Sequence, residues 1–137
     1  HGSLDQALCI YAAELIGKLQ DEGHRVYAGC LGENITTERV EWRLMTPGTR
    51  VRLGQDVVAE ITDYASPCHK NARWFLNGDF GRISEALHPG WGRVYAKVLA
   101  GGEIRPGDPI VVEPEDAILR VQRRSVPSVR WPRDFGG

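Results

Sequence analysis

Residues 93–99, with the sequence RVYAKVL, decide the fold class. Apolar residues at 94, 96 and 98 alternate with Arg93, Tyr95 and Lys97, which is the two-residue period of a strand with one buried face. Glycine-containing turns bound this run and other short apolar runs, so we expect antiparallel neighbours. The further strands predicted in this way are 50–53, 57–62 and 109–112.

Two other stretches show helical spacing. Residues 4–22 carry apolar side chains at intervals of three and four, and Gly23 predicts a helix end. The dense apolar run 7–11 fits a buried strand equally well, with a helix from about Ala12. Residues 71–87 predict two short helices or one interrupted helix.

The predicted elements define one α+β domain. We expect a β-rich, antiparallel, barrel-like sheet with short peripheral helices over residues 1–112. The charged remainder, 113–137, contains five arginines and predicts a helix followed by an irregular end.

Composition excludes several classes of function. The chain has 137 residues, which suits one domain, and its formal net charge of −1 argues against a nucleic-acid partner. Its apolar runs fall far short of the roughly 20 residues that span a bilayer, so no membrane partner is expected. Three unevenly spaced cysteines do not form a disulfide framework, which favours a reducing, cytoplasmic setting.

Cys68 is the side chain best suited to chemistry. It follows a predicted strand in a proline-containing loop, and His69 and Lys70 are cations that favour a thiolate. A thiolate is both a nucleophile and a soft metal ligand. Zinc is not expected, because the ligand spacings of zinc sites are absent. The alternative is an inert packed cysteine, which is common.

A second group of candidates suits an anionic ligand. The turn Gly32-Glu33-Asn34 offers backbone N–H groups and an amide side chain, although such a sequence is often only a turn. Cationic side chains near the Cys68 loop and the central strand form an anion site or, alternatively, a solvated face. They are Arg73, Arg82, Arg93 and Lys97.

Five segments, read in order, resemble the MOSC domain, which is related to the C-terminal part of molybdenum-cofactor sulfurases. The resemblance is to small stand-alone bacterial members. It covers about residues 1–112. Residues 1–3, HGS, could by themselves be the remnant of a cleaved tag, but the resemblance implies that they are native. It also implies that the family's first strand or strands are missing from this chain. The segments are HGSLDQA (1–7), LGENIT (31–36), PCHK (67–70), GWGRVYAKV (90–98) and GEIRPGD (102–108).

The resemblance implies a partly open β-barrel with peripheral helices, and it makes residues 6–11 a strand. Cys68 matches a cysteine that, in relatives such as the mitochondrial amidoxime-reducing components, binds molybdenum held by a pterin dithiolene. Those relatives reduce N-hydroxylated compounds. The resemblance places the Gly-Glu-Asn loop near the cofactor pocket. It therefore implies that Gly32, Glu33 and Asn34 contact the cofactor.

Three functional hypotheses follow. The leading expectation is a reductase that uses the molybdenum cofactor, with Cys68 as metal ligand and Asn34 orienting substrate or cofactor. Phosphate contacts would come from Lys70, Arg73, Arg93 and Lys97. A separate reductase would supply electrons to reduce a small-molecule substrate, because no flavin or iron–sulfur motif is present. The alternatives are a sulfur carrier with a Cys68 persulfide, or cofactor-free chemistry at this thiol.

Overall fold

Seven strands form the framework of the protein. The structure is a computed structural model that describes residues 7–113 and 128–130. The strands are β1 Ala7–Ala12, β2 Ile35–Glu38, β3 Arg50–Leu53, β4 Val57–Tyr64, β5 Val94–Ala100, β6 Ile110–Glu113 and β7 Ser128–Arg130. They form one sheet in the order β6-β3-β4-β5-β1-β2-β7, which curves into a half-barrel. The predicted β-rich α+β fold is confirmed.

The sheet is mixed, whereas the sequence predicts antiparallel pairing. Five of the six described pairings are antiparallel, but β1 and β2 run parallel. Parallel neighbours need a crossover connection, and the helix α1, Ala13–Asp21, lies in it. Strand β2 was not among the predicted strands. Three of its four residues are buried, so it shows no alternation that a sequence pattern can detect.

The two faces of the sheet pack into two hydrophobic cores. The inner core includes Ile10, and the outer core under α1 includes Tyr11, so consecutive residues of β1 belong to different cores. Trp42 packs against both cores. Further members of the inner core are Ile35, Val51, Leu53, Ile61, Val94 and Ala96. Further members of the outer core are Leu15, Ile16, Leu19, Leu31, Phe75 and Ile83.

Helix α1 ends where the sequence predicts. Gly23 has φ of +103°, and its N–H donates to the Gln20 carbonyl at 2.9 Å. The N–H of His24 donates to the Leu19 carbonyl at 3.1 Å. This pair of bonds is a Schellman motif, which requires the left-handed conformation that glycine adopts without strain.

The segment after Cys68 differs from the expected helices. It consists of three short 3₁₀ segments, His69–Trp74, Leu76–Gly78 and Phe80–Ile83. Asn77 has φ of +58°, which interrupts the helical path at the predicted Asn-Gly-Asp break. The helix expected after residue 113 lies outside the described residues, and Ser128–Arg130 forms a strand within the stretch expected to be irregular.

Within the described ranges, every helix is too short or too polar to cross a bilayer.

Candidate functional site

The Cys68 loop leaves the sheet at the end of β4. Cys68 is half-buried and extended, with φ of −116° and ψ of +131°, and it precedes the segment His69–Trp74. Its carbonyl accepts a hydrogen bond from the Asn71 N–H at 2.9 Å. The thiol is free of a disulfide and does not cap the segment. The sulfur of Cys68 therefore forms neither a disulfide nor a capping hydrogen bond with the described residues.

The turn 32–34 uses its own N–H groups. The Gly32 N–H donates to the Gly29 carbonyl, and the Asn34 N–H donates to the Cys9 carbonyl at 2.8 Å. The backbone N–H groups of Leu31 and Glu33 both face the carboxylate of the Glu33 side chain. The sequence predicted that the N–H groups of this turn could bind an anionic ligand. In the structure, those of Gly32 and Asn34 are already hydrogen-bonded within the chain.

Glu33 is the anion that fills this turn. Its side chain is buried, at 3% exposure, and Oε2 accepts a hydrogen bond from the Gly29 N–H at 2.8 Å. Desolvation raises the pKa of this carboxyl, while the surrounding N–H groups and the charge of Arg93 act in the opposite direction. Oε1 is buried without a hydrogen-bond partner among the described residues.

Asn34 extends the pairing of two strands. Its Oδ1 accepts a hydrogen bond from the Cys9 N–H at 2.7 Å, which continues the parallel ladder beyond the Ile10–Ile35 pair. The side chain is exposed. The amide oxygen is thus committed to the backbone, and Nδ2 is the group of Asn34 that can meet a ligand.

Arg93 links the two loops. It is buried, at 5% exposure, just before β5. Nη1 donates to the Leu31 carbonyl, and Nη2 donates to the Ser66 carbonyl at 2.9 Å. One guanidinium therefore joins the turn that contains Glu33 to the loop that contains Cys68. The sequence suggested Arg93 as a cation on a strand face that meets a phosphate, and its burial was not foreseen.

The buried cluster beside Arg93 includes Cys9 and Tyr11. Burial raises the pKa of the Cys9 thiol to about 11, against the opposing charge of Arg93. Burial also raises the pKa of Tyr11, whose hydroxyl donates to the Trp91 carbonyl at 2.6 Å.

The other predicted cations lie in different surroundings. Lys70 and Arg73 are exposed on the 3₁₀ segment after Cys68, and the Arg73 guanidinium stacks on Trp74 at 4.7 Å. Lys97 is exposed in β5, opposite Glu60 of β4. Lys97 is four residues from Arg93, which is about 13 Å along a strand. The structure therefore groups Lys70 and Arg73 with Cys68 along the chain, and it separates Lys97 from Arg93.

Glu85, which sequence reasoning did not assign, and Arg82, which it placed among the candidate cations, contact the segment just before Arg93. The Glu85 carboxylate accepts hydrogen bonds from the N–H groups of Gly90 at 2.9 Å and Gly92 at 3.0 Å. Arg82 stacks on Trp91 at 3.9 Å. Its guanidinium also forms two hydrogen bonds with the carboxylate of Glu22, 60 residues away in sequence. No local pattern indicates such long-range contacts.

Protein side chains alone do not build a metal centre here. Residues 7–113 and 128–130 contain no group of three or more His, Cys, Asp and Glu placed to hold a metal ion. Cys68 is a single soft donor with a free sulfur. Such a donor set fits a metal that arrives with other ligands of its own.

The half-barrel sheet carries the Cys68 loop after the end of β4 and the buried Arg93 just before β5. The family model of the MOSC domain matches residues 1–111, and the chain belongs to this family.

A solved structure supports the fold. YiiM from Geobacillus stearothermophilus superposes with a TM-score of 0.64 at 26% sequence identity, over 85% of this chain and 58% of that protein. The chain thus spans little more than half the length of YiiM. Comparison with curated protein sequences gives no match.

Proposed function

We propose that this MOSC domain protein is a reductase of N-hydroxylated small molecules that works with the molybdenum cofactor, and that Cys68 is the protein ligand of the metal. The uncommitted, half-buried thiol of Cys68 carries the proposal. Membership of the family supports it, because the family is associated with this cofactor.

The cofactor would supply a molybdenum centre held by a dithiolene, able to take oxygen from an N–O bond. The protein would contribute one thiolate, from Cys68. Lys70 and Arg73 follow it within five residues and are exposed, so they suit the phosphate of the pterin. Lys97 lies about 13 Å from Arg93 along β5. The two donors of Arg93 named above are already used.

The turn that contains Glu33 would face the other side of the site. Asn34 keeps its Nδ2 free to donate to the substrate or the cofactor, while its Oδ1 holds the Cys9 N–H. Gly32 is exposed, and a Cβ there would meet no atom within 4 Å. A ligand could therefore approach the backbone at Gly32 closely.

The overall reaction defines the partner. Cleavage of an N–O bond to N–H and water consumes two electrons and two protons. The proposal therefore includes a separate electron-donating reductase in a reducing compartment such as the cytoplasm, and it involves neither nucleic acid nor a membrane.

The test is molybdenum content and turnover in protein from a host that makes the cofactor. Cys68→Ser should lose molybdenum and the reduction of an amidoxime or N-hydroxylated purine with an artificial electron donor. A serine hydroxyl is a harder and far less acidic donor than a thiol. The matched control is Cys30→Ser, which alters another half-buried cysteine, one whose sulfur accepts a hydrogen bond from the Tyr27 N–H, and should retain both properties.

Equal molybdenum and equal turnover in wild type and Cys68→Ser would refute the ligand role. A wild type without molybdenum that releases labile sulfur on reduction would instead support the persulfide carrier.

A further inference from the structure

The buried Arg93 has contacts that packing alone does not require. Two of its hydrogen bonds end on backbone carbonyls of other segments, Leu31 and Ser66, which lie 62 and 27 residues away in sequence, and the guanidinium also meets the Cys9 thiol. Backbone carbonyls are present whatever the side chain, so these contacts fix the path of the chain rather than a particular residue type. Arg93 thus holds two loops in relation to one another.

The backbone of Arg93 adds a third contact to the Cys68 loop. The Arg93 carbonyl accepts a hydrogen bond from the Ala65 N–H at 2.8 Å, while its Nη2 holds the carbonyl of Ser66. Two successive residues are therefore fastened to Arg93, immediately before Pro67 and Cys68. The position of Cys68 depends on this attachment more than on its own side chain, which makes no described capping bond.

A buried guanidinium is costly unless it performs such a task. Arg93 forms no ion pair among the described residues, and its Nε is buried without a partner there. The nearby charge of Glu33 compensates in part, since each of the two groups lies in the field of the other. An apolar residue of similar volume would avoid this cost, but it could not hold two carbonyls.

We infer that Arg93 is a positioning residue: it clamps the Cys68 loop to the turn 31–34 and so sets where the Cys68 thiol lies. The functional importance of that position rests on the proposed function, but the clamp itself does not. The planar guanidinium reaches both carbonyls at once, which the single ammonium of lysine does not reproduce. Arg93→Lys therefore keeps the charge and removes the clamp.

The experiment measures the reactivity of Cys68 in chains produced without the cofactor. All variants carry Cys9→Ala and Cys30→Ser, because Cys9 lies beside Arg93 and would itself respond to a change there, so that Cys68 is the thiol that reacts. The second-order rate constant with 5,5′-dithiobis(2-nitrobenzoate) at pH 8 is recorded for the parent and for Arg93→Lys. We expect Arg93→Lys to react about tenfold faster or more, because one charged hydrogen bond corresponds to at least such a change in a loop-opening equilibrium.

Arg82→Lys is the matched control. Arg82 is also largely buried, at 16% side-chain exposure, but it binds Glu22 and Trp91 instead of the Cys68 loop. It should lose stability without acceleration at Cys68. An unchanged rate in Arg93→Lys, or an equal acceleration in Arg82→Lys, would overturn the clamp.

Hydrogen exchange of the wild type decides the matter if Arg93→Lys fails to fold. The clamp couples the two loops, so the N–H groups of Asn34 and Asn71 should exchange with similar protection and the same response to denaturant. Protection factors that differ by more than about tenfold would overturn it. Neither readout involves molybdenum, so a wild type that binds none would refute the proposed function and leave this inference standing.

Discussion

Glu33 shows how one side chain changes the chemistry of a glycine-containing turn. The sequence of the turn is typical of a site for an external anion, yet the N–H groups of Gly32 and Asn34 bond to backbone carbonyls, and the Gly29 N–H bonds to the carboxylate of Glu33. Burial makes the charged form of that carboxylate less favourable than it is in water. The turn consequently contains a buried carboxyl group in which Oε2 is hydrogen-bonded to the described residues and Oε1 is not.

The raised pKa of Glu33 predicts a pH dependence of stability. Above its ordinary pKa the unfolded chain releases the proton more readily than the folded chain does. The folded state therefore binds more protons, and stability falls as the pH rises through this range. Glu33→Gln should remove this loss. The free energy of unfolding of Glu33→Gln, relative to that of the wild type, should therefore rise between pH 4 and pH 8. Urea denaturation across that range measures the difference.

Glu60→Gln is the control, because Glu60 is a half-buried glutamate that faces Arg50 across the sheet at 3.9 Å. It should not gain on the wild type as the pH rises. If the difference in free energy of unfolding between wild type and Glu33→Gln stayed constant from pH 4 to pH 8, the charged form of the buried carboxyl would not destabilise the fold.

Helix α1 provides a matched pair of glycines at the scale of one element. Gly23 has the positive φ of a Schellman end, whereas Gly17 lies inside the helix, where an added Cβ meets no atom within 4 Å. Gly23→Ala should destabilise the protein by about 1 kcal/mol through backbone strain. Gly17→Ala should stabilise it by about 0.5–1 kcal/mol, since alanine loses less entropy in a helix.

Guanidinium denaturation of both variants measures the contrast. Since the Cβ added at Gly23 would make only an ordinary 3.6 Å contact with Leu76, a loss there reports backbone conformation and not a clash. Equal effects of the two substitutions would show that the conformation at the helix end does not determine its stability.

Local patterns predicted most of these elements. The strands within 50–62, 93–99 and 109–112 follow from side chains that alternate between two faces, and β1 required the family resemblance because its apolar run fits two structures. Strand β2 escaped prediction because its pairing with β1 is parallel and comes from residues 25 positions apart. Short strands buried on both faces carry no period of two.

The candidate site was predicted less completely than the fold. Cys68 stands out by its neighbours in sequence, but the burial of Arg93 depends on carbonyls of distant loops, which no side-chain pattern encodes. The amide of Asn34 likewise serves the ladder between β1 and β2. That the side chains of Cys68 and Asn34 line one cleft stays a prediction.

At the scale of the whole molecule, β1 joins the two cores. Ile10 is fully buried in the inner core and Tyr11 in the outer core, and Trp42 contacts both. One strand cannot leave either core without disturbing the other. We therefore expect both faces of the sheet to unfold in a single cooperative transition.

Two large-to-small substitutions test this cooperativity. Ile10→Ala removes packing from the inner core, and Leu19→Ala removes it from the outer core, where each side chain has 0% exposure. Each should cost about 2–5 kcal/mol. In both variants, tryptophan fluorescence and far-ultraviolet circular dichroism should still report the same denaturation midpoint. Leu76→Ala, at a side chain 53% exposed, should have little effect. Two separate transitions, with Leu19→Ala shifting only one of them, would show that the outer core folds independently of the sheet.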